Sequence, residues 1–416
     1  MKLKKKYTLQ LWHKVLIGMF LGIIFGIFYP KTISKYCFFT PKHFQPLGII
    51  FMNMVKMVVA PLIFFSILNG ITSVNNINTF SRLGLKAFLM YSCTTIFAST
   101  IGILTSNIFK PGYGFNILPT EVNNNINTES TSLQELLINI IPSSPLKAMM
   151  ECNTLQIVIF AFFTGFSLIS IGNKGALLKK FIFSSTQLAL KMINIVIQFT
   201  PYGVFSVISC IVFEYGIKIL FNLGNFILVV ILALFIQYIL FGLMIILFTK
   251  LNPFPFYRKI FTIQTIALAT SSSKASLSIA IKDMKSKLGV SRDAVLFILP
   301  LGAAINMDAT AIYLSICAVF FAQINNVILS YNQYLILILT STIGSIGAAG
   351  FPGGAMVTMS VVLQSVGLPL EGIAIILGID KILEMLRTVI NITGDCTITL
   401  IIDKMEGNLN EKKYYS

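Results

Sequence analysis

An all-α membrane protein is the fold class this sequence predicts, and three observations predict it. Only 11% of the 416 residues are charged and 56% are hydrophobic, whereas a soluble domain carries about a quarter charged residues. The mean hydropathy is +0.84, so the polar groups are too few to coat a water-facing surface and the apolar excess must face lipid. The apolar residues gather in runs near the roughly 20 residues that a helix needs to cross the hydrocarbon core, with room for about eight crossings.

The runs fall at about 11–29, 47–71, 87–108, 154–172, 184–213 and 225–249, and each reads as a membrane helix. Met1 to Lys6 followed by an apolar run is the pattern of a signal peptide, but the run through Phe25 and Tyr29 lacks a small-residue cleavage site. It therefore reads as the first span. The longest hydrophilic break, 110–140, carries Asn123, Asn124, Asn125, Glu121, Glu129 and Glu135 and reads as an external loop.

The net charge is +16. On a soluble protein that suggests nucleic acid. Here the basic residues cluster in alternate loops: Lys2 and Lys4–Lys6, then Arg82 and Lys86, then Lys174, Lys179 and Lys180, then Lys250, Arg258 and Lys259. That is the bias of cytoplasmic loops. It places both termini in the cytoplasm, with Lys31, Lys35 and Lys42 a mild exception. The six cysteines (Cys37, Cys93, Cys152, Cys210, Cys317, Cys396) are scattered without metal-ligand spacing, and His13 and His43 are the only histidines. A zinc site is thereby disfavoured.

After residue 250 the apolar stretches are broken from inside. Ser271-Ser272-Ser273, Asn306-Met307-Asp308, the glycine-rich stretch Gly344 to Gly354 and the polar string Asp380 to Asp395 do the breaking. Irregular backbone at membrane depth persists only where protein or a wet cavity satisfies it, and paired Gly/Pro-interrupted segments point to a solute-binding site. Function is thus expected in residues 250–400.

Asp380, Glu384, Arg387, Thr388, Asn391 and Asp395 are spaced 4, 3, 1, 3 and 4, which puts them in a stripe roughly 100° wide on one helix. Buried charge is costly in lipid, so such a stripe lines a cavity or a bundle interior. Of the arginines Arg82, Arg258, Arg292 and Arg387, only Arg387 lies within a span, and a guanidinium fork suits a carboxylate. Three carboxylates against one guanidinium leave negative charge for a cation. Asn306 and Asp308, two residues apart in a broken helix, supply hard oxygens suited to Na⁺. A plain structural kink is the alternative reading of that break, and of the hairpin-like stretch Ser345 to Gly354.

These motifs occur in the order found in the dicarboxylate/amino acid:cation symporter family, the glutamate transporter family, which this sequence closely resembles. The motifs are Ser271-Ser272-Ser273, Asn306-Met307-Asp308-Ala309-Thr310, the glycine-rich hairpin with Pro352, and Arg387-Thr388 with Asn391, Gly394 and Asp395. Supporting matches lie at Leu47 to Leu62, Ile141 to Pro145 and Pro201 to Phe205.

The resemblance implies eight transmembrane helices plus two re-entrant helical hairpins, an elevator-type fold with inverted repeats, assembled as a homotrimer in a bacterial inner membrane. Scaffold helices 1–2 would occupy 1–86, helix 3 of the transport domain 87–109, the external loop 110–145 and scaffold helices 4–5 146–213. The rest of the transport domain would occupy 214–403, with hairpins at about 255–283 and 333–365, followed by a cytoplasmic tail, 404–416. The implied activity is uptake of aspartate or glutamate coupled to sodium ions, without a cofactor and without enzymatic chemistry. A C4-dicarboxylate symporter and a proton-coupled glutamate symporter are the alternatives.

The resemblance also implies site residues. Ser271, Ser272, Ser273, Thr310, Gly350, Pro352, Gly354, Glu384, Arg387, Thr388 and Asn391 would meet the substrate. Tyr91, Thr94, Thr95, Gly302, Asn306, Asp308, Ser345, Ile346, Asn391 and Asp395 would meet Na⁺. Five positions depart from the family pattern, one being Ala309 in place of the usual Gly. Glu384 replaces the usual Asp, and Thr270 and Met385 stand where an Arg is common. Leu314 stands where animal members carry a proton-carrying Glu. Glu384 is therefore expected to lack a close cationic partner.

Overall fold

The structure is a computed structural model. It describes residues 11–28, 41–72, 83–113, 138, 141–151, 154–215, 218–347, 354–368 and 373–416. Its helices are α1 (Leu11–Phe28), α2 (Gln45–Thr72), α3 (Leu85–Phe109), α4 (Pro145–Met150), α5 (Thr154–Ser170), α6 (Ala176–Ile197), α7 (Thr200–Tyr215) and α8 (Lys218–Thr249). They continue with α9 (Pro253–Thr270), α10 (Ser273–Ser286), α11 (Arg292–Ile305), α12 (Asp308–Ile324), α13 (Tyr331–Gly347), α14 (Gly354–Ser365), α15 (Ile373–Met405) and α16 (Glu411–Tyr415). No strand occurs among the described residues.

The run read as one helix over 184–213 is two helices, α6 and α7, parted at Gln198 and Phe199. Pro201 is the cause. Its ring cannot donate a backbone hydrogen bond and is tolerated in the first turn of a helix, so the chain restarts there instead of continuing. Pro61, by contrast, sits inside α2 without ending it.

Helices α1, α2, α5, α6 and α7 pack on one another: α1 on α7, and α2 on α5, α6 and α7. Gly18, Gly22 and Gly26 form the seam of α1 against α7. A Cβ on Gly22 would stand 2.8 Å from the Phe205 carbonyl oxygen, and one on Gly26 would stand 2.7 Å from Val212 Cβ. Small residues four apart allow such close helix approach where lipid gives no hydrophobic drive. The outward faces carry Phe20, Phe28, Phe163, Leu177 and Phe181, all exposed.

The short α4 packs on α5 and α2, and α3, α8–α11, α13 and α14 wrap α12 and α15. Helix α12 packs against α3, α8, α13, α14 and α15, and all its residues except Gln323 are buried. Two helix pairs flank this core: α9 with α10, turning at Ser271–Ser272, and α13 with α14. The segment expected as a tail folds back onto the base of the first pair. Tyr414 is buried and donates to the Asn252 carbonyl at 2.7 Å, and Lys86 pairs with Glu406 at 2.6 Å. Lys259 Nζ donates to the carbonyls of Lys287, Lys413 and Tyr414 at 2.9, 2.8 and 2.8 Å.

Among the described residues, four segments are long and apolar enough to cross a membrane: Leu85–Phe109, Leu223–Thr249, Arg292–Ile324 and Ile379–Met405. The third includes the break at Asn306–Met307, and the last is mostly buried inside the protein. Both are membrane-length segments whose surroundings are mainly protein, which is where polar residues at membrane depth are tolerated.

Candidate functional site

The break between α11 and α12 creates the site's centre. Asn306 has φ −91° and ψ 107°, an extended conformation, and Met307 follows at φ −133° and ψ 52°. A broken helix exposes its next N–H groups, and Asn391 on α15 takes one: its Oδ1 accepts from Ala309 N at 2.9 Å. Its Nδ2 lies 3.0 Å from Met307 Sδ. Asn391 thus pins the break to α15. Thr310, also buried, hydrogen-bonds through its N–H to the Met307 carbonyl at 3.0 Å.

Two carboxylates flank the break. Asp308 Oδ1 accepts from Thr95 Oγ1 at 2.7 Å and lies 3.3 Å from Thr94 Oγ1, and its Oδ2 accepts from Gln237 Nε2 at 3.3 Å. Both threonine hydroxyls also reach the Tyr91 carbonyl, at 3.0 Å from Thr94 and 2.7 Å from Thr95. A hydroxyl has one proton, so each threonine chooses between a helix carbonyl and Asp308. Asp395, on α15, accepts from Asn306 Nδ2 at 2.9 Å. Asp395 Oδ2 and Asn306 Oδ1 are buried without a hydrogen-bond partner.

Gly302 faces this second pair. A Cβ there would stand 2.5 Å from both Asp395 Oδ1 and the Tyr91 hydroxyl. The Tyr91 hydroxyl donates to the Ile298 carbonyl at 3.1 Å, and the Gly302 carbonyl accepts from Asn306 N at 2.7 Å. The structure therefore gathers Tyr91, Thr94, Thr95, Gly302, Asn306, Asp308, Asn391 and Asp395 around one break. Ser345 and Ile346 lie in the last turn of α13, which packs on α12, and the Ser345 hydroxyl donates to the Thr342 carbonyl at 2.7 Å.

Further along α15, Arg387 Nη2 lies 2.9 Å from Asp380 Oδ1, and the guanidinium carbon sits 3.8 Å from the Tyr313 ring centroid. Both members of this ion pair are buried, and Arg387 Nη1 has no hydrogen-bond partner. Thr388 Oγ1 donates to the Glu384 carbonyl at 2.8 Å. The expectation that Glu384 lacks a close cation is overturned: Lys381 Nζ lies 2.7 Å from Glu384 Oε2. The reason is local. Residues three apart on a helix are neighbours, so a lysine one turn earlier replaces the arginine missing at Thr270 and Met385.

The serines form the first hairpin's turn. Ser271 caps α9 at φ 50°, and Ser272 caps α10 by accepting from Ala275 N at 3.3 Å. Gly354 opens α14. Gly350 and Pro352 lie outside the described residues. Besides Lys381 on Glu384, four contacts escaped the sequence reading: Gln237 on Asp308, Met307 against Asn391, Tyr313 under Arg387, and the pairing of Asp380 with Arg387. The last had a signal, since residues seven apart share a helix face.

The apolar helices around a buried polar seam define a multi-pass integral membrane protein of the transporter class. Residues 11–405 match the sodium:dicarboxylate symporter family, and the chain belongs to it. A proton/sodium-glutamate symport protein of Bacillus caldotenax is 32% identical over 411 residues, covering 96% of this chain and 95% of that protein. A protein of the same name from Bacillus subtilis (strain 168) is 29% identical over 98% of this chain and 96% of its own. A C4-dicarboxylate transport protein of Edwardsiella ictaluri (strain 93-146) is 31% identical over 99% of this chain and 96% of its own.

Proposed function

We propose that this chain is a secondary active symporter that takes up aspartate or glutamate together with sodium ions by an elevator-type movement. The observation that carries the reading is the α15 stripe. It holds a guanidinium with an uncommitted Nη1 and, one turn away, the carboxylate of Glu384. An acidic amino acid offers the complement, a side-chain carboxylate for Arg387 and an ammonium for Glu384. Thr310, Thr388, Asn391 and the turn Ser271–Ser273, with Gly350, Pro352 and Gly354 of the second hairpin, complete the substrate contacts in this reading.

Sodium is a co-substrate here. One ion is held by Asn306, Asn391, Asp395 and the Gly302 carbonyl, a reading supported by the two orphaned oxygens there. A second is held by Tyr91, Thr94, Thr95, Asn306 and Asp308. A cation at the Tyr91 carbonyl repels the threonine protons and turns them onto Asp308, which both hydroxyls already reach. A third lies by the carbonyls of Ser345 and Ile346. Helices α1, α2, α5, α6 and α7 pack mainly on one another and meet the rest more sparsely, through α7 on α15, α5 on α13 and α2 on α11, which supports a scaffold and a transport domain. The two helix pairs support two re-entrant hairpins beside eight spans. The proposed setting is a homotrimer in a bacterial inner membrane with both termini cytoplasmic.

One observation favours a second reading. Arg387 and Lys381 put two cations on one stripe, enough for the two carboxylates of a C4-dicarboxylate. Proteoliposomes with an imposed sodium gradient decide between them, with aspartate, glutamate, succinate and serine compared. Sodium-dependent aspartate or glutamate uptake is expected, and Arg387→Ala is expected to abolish it, since losing a buried charge-assisted contact costs roughly 2–5 kcal/mol. Uptake of succinate alone transfers the site to the second reading. Full uptake on a proton gradient in sodium-free buffer overturns the sodium coupling.

A further inference from the structure

The α15 stripe carries two ion pairs of unlike character. Arg387 and Asp380 are sealed, with 3% and 8% of their side-chain surface exposed. Lys381 and Glu384 are ajar, at 21% and 11%. The second pair also runs in the weaker sense along the helix, with the cation N-terminal to the carboxylate. The difference lies in the cation: the lysine head is partly hydrated while Glu384 is buried, so the lysine can withdraw toward water at a lower cost than the sealed guanidinium. The pair is nonetheless close, 2.7 Å between Nζ and Oε2, so the Glu384 carboxylate already faces an ammonium, one on a flexible tether.

We propose that Lys381 is a specificity-determining residue, a tethered ammonium that occupies Glu384 until the ammonium of an amino acid substrate displaces it. The inference rests on the reading of Glu384 as the amine-binding carboxylate. An amine-bearing substrate must exchange one ammonium for another at Glu384, and its binding is weakened by the strength of the pair it breaks. A dicarboxylate without an amine leaves Lys381 on Glu384 or draws the lysine to its own carboxylate. Lys381 thus lowers the preference for aspartate over succinate in both ways, and its loss raises that preference.

The test is a competition series of aspartate and succinate at saturating sodium, on the full-length protein in proteoliposomes. Lys381→Met and Lys381→Gln are each expected to raise the aspartate-to-succinate affinity ratio roughly two- to fivefold, the scale of a partly screened ion pair. Lys381→Arg, which keeps the tethered cation, is expected to hold the native ratio. An unchanged or lowered ratio in the folded neutral variants overturns the inference, and so does a ratio raised equally by Lys381→Arg. Glu384→Gln separates the two layers of the argument. If it lowers the ratio while the neutral lysine variants leave it alone, only the role of Lys381 fails. If it leaves the ratio unchanged, Glu384 does not bind the amine and both fail.

Discussion

Asp308 opens α12 and Asp395 sits on α15, both fully buried against the same break, and their surroundings differ. Asp308 has hydroxyl and amide donors on both oxygens, from Thr94, Thr95 and Gln237. Asp395 has one donor, Asn306, and its second oxygen has none. Donors compensate a buried carboxylate, whereas each acceptor left without one costs about 1–3 kcal/mol. Asp308 is therefore built to stay in place without an ion. Asp395 and Asn306 keep unpaired oxygens at the expense of stability, and a cation bound as proposed above would offset that cost. Stability and ion response should separate at these two positions.

The largest expected effect comes from Gly302. A Cβ there meets Asp395 Oδ1 and the Tyr91 hydroxyl at once, 2.5 Å from each. The hydroxyl is held by the Ile298 carbonyl and Oδ1 by Asn306 Nδ2, so Gly302→Ala is expected to cost up to about 3 kcal/mol through overpacking. Sodium is expected to raise the melting temperature of the wild type, as binding to the folded state requires, and Gly302→Ala is expected to abolish that rise. A variant that melts normally and still responds to sodium would show that the space beside Asp395 takes no part in ion binding.

The two aspartates come next. In sodium-free solution Asp395→Asn removes an uncompensated charge and keeps an acceptor for Asn306, so the melting temperature is expected to rise, by the equivalent of about 1 kcal/mol. Asp308→Asn weakens charge-assisted bonds that are already made, so the melting temperature is expected to fall by a similar amount. Both variants should need several times more sodium for half-maximal uptake. Thermal melts of the pair with and without sodium check this, and shifts of the same sign would break the comparison.

Much of this arrangement was legible in the sequence because the chemistry is written in residue types that lipid disfavours. The Asn306–Asp308 interruption and the α15 stripe marked the polar seam, and the helix pairs formed where the apolar runs were broken, at Ser271–Ser272 and between Gly347 and Gly354. What stayed hidden was pairing across sequence distance. Gln237 reaches Asp308 over 71 residues, and no periodicity on α8 singles it out. Lys381 was hidden differently. Its distance from Glu384 is readable from helix spacing, but it lies at the edge of the polar stripe, where a lysine reads equally well as a side chain reaching for water. The split of α6 from α7 was masked by an apolar run that continues across Gln198 and Phe199, although Pro201 stood in it.

The smallest expected effect tests the donor side of Asp308. Thr94 and Thr95 are adjacent on α3, and both hydroxyls have Tyr91 O and Asp308 Oδ1 in reach. Thr95 is the closer to each, at 2.7 Å for both, against 3.0 and 3.3 Å for Thr94. Valine keeps the branched shape and the helical rotamer while removing the hydroxyl. Tyr91 O loses little in either variant, because the helix still supplies a backbone donor. The difference should therefore report the bond to Asp308. Thr95→Val is expected to lower sodium-free stability by about 1 kcal/mol and Thr94→Val by about half of that. In an Asp308→Asn background the gap between the two threonine variants should narrow, because the charge that made the shorter bond the stronger one is gone. Melting curves of the two single and two double variants read this directly. If Thr94→Val is the more damaging, the donors around Asp308 are ranked wrongly and its side of the comparison falls.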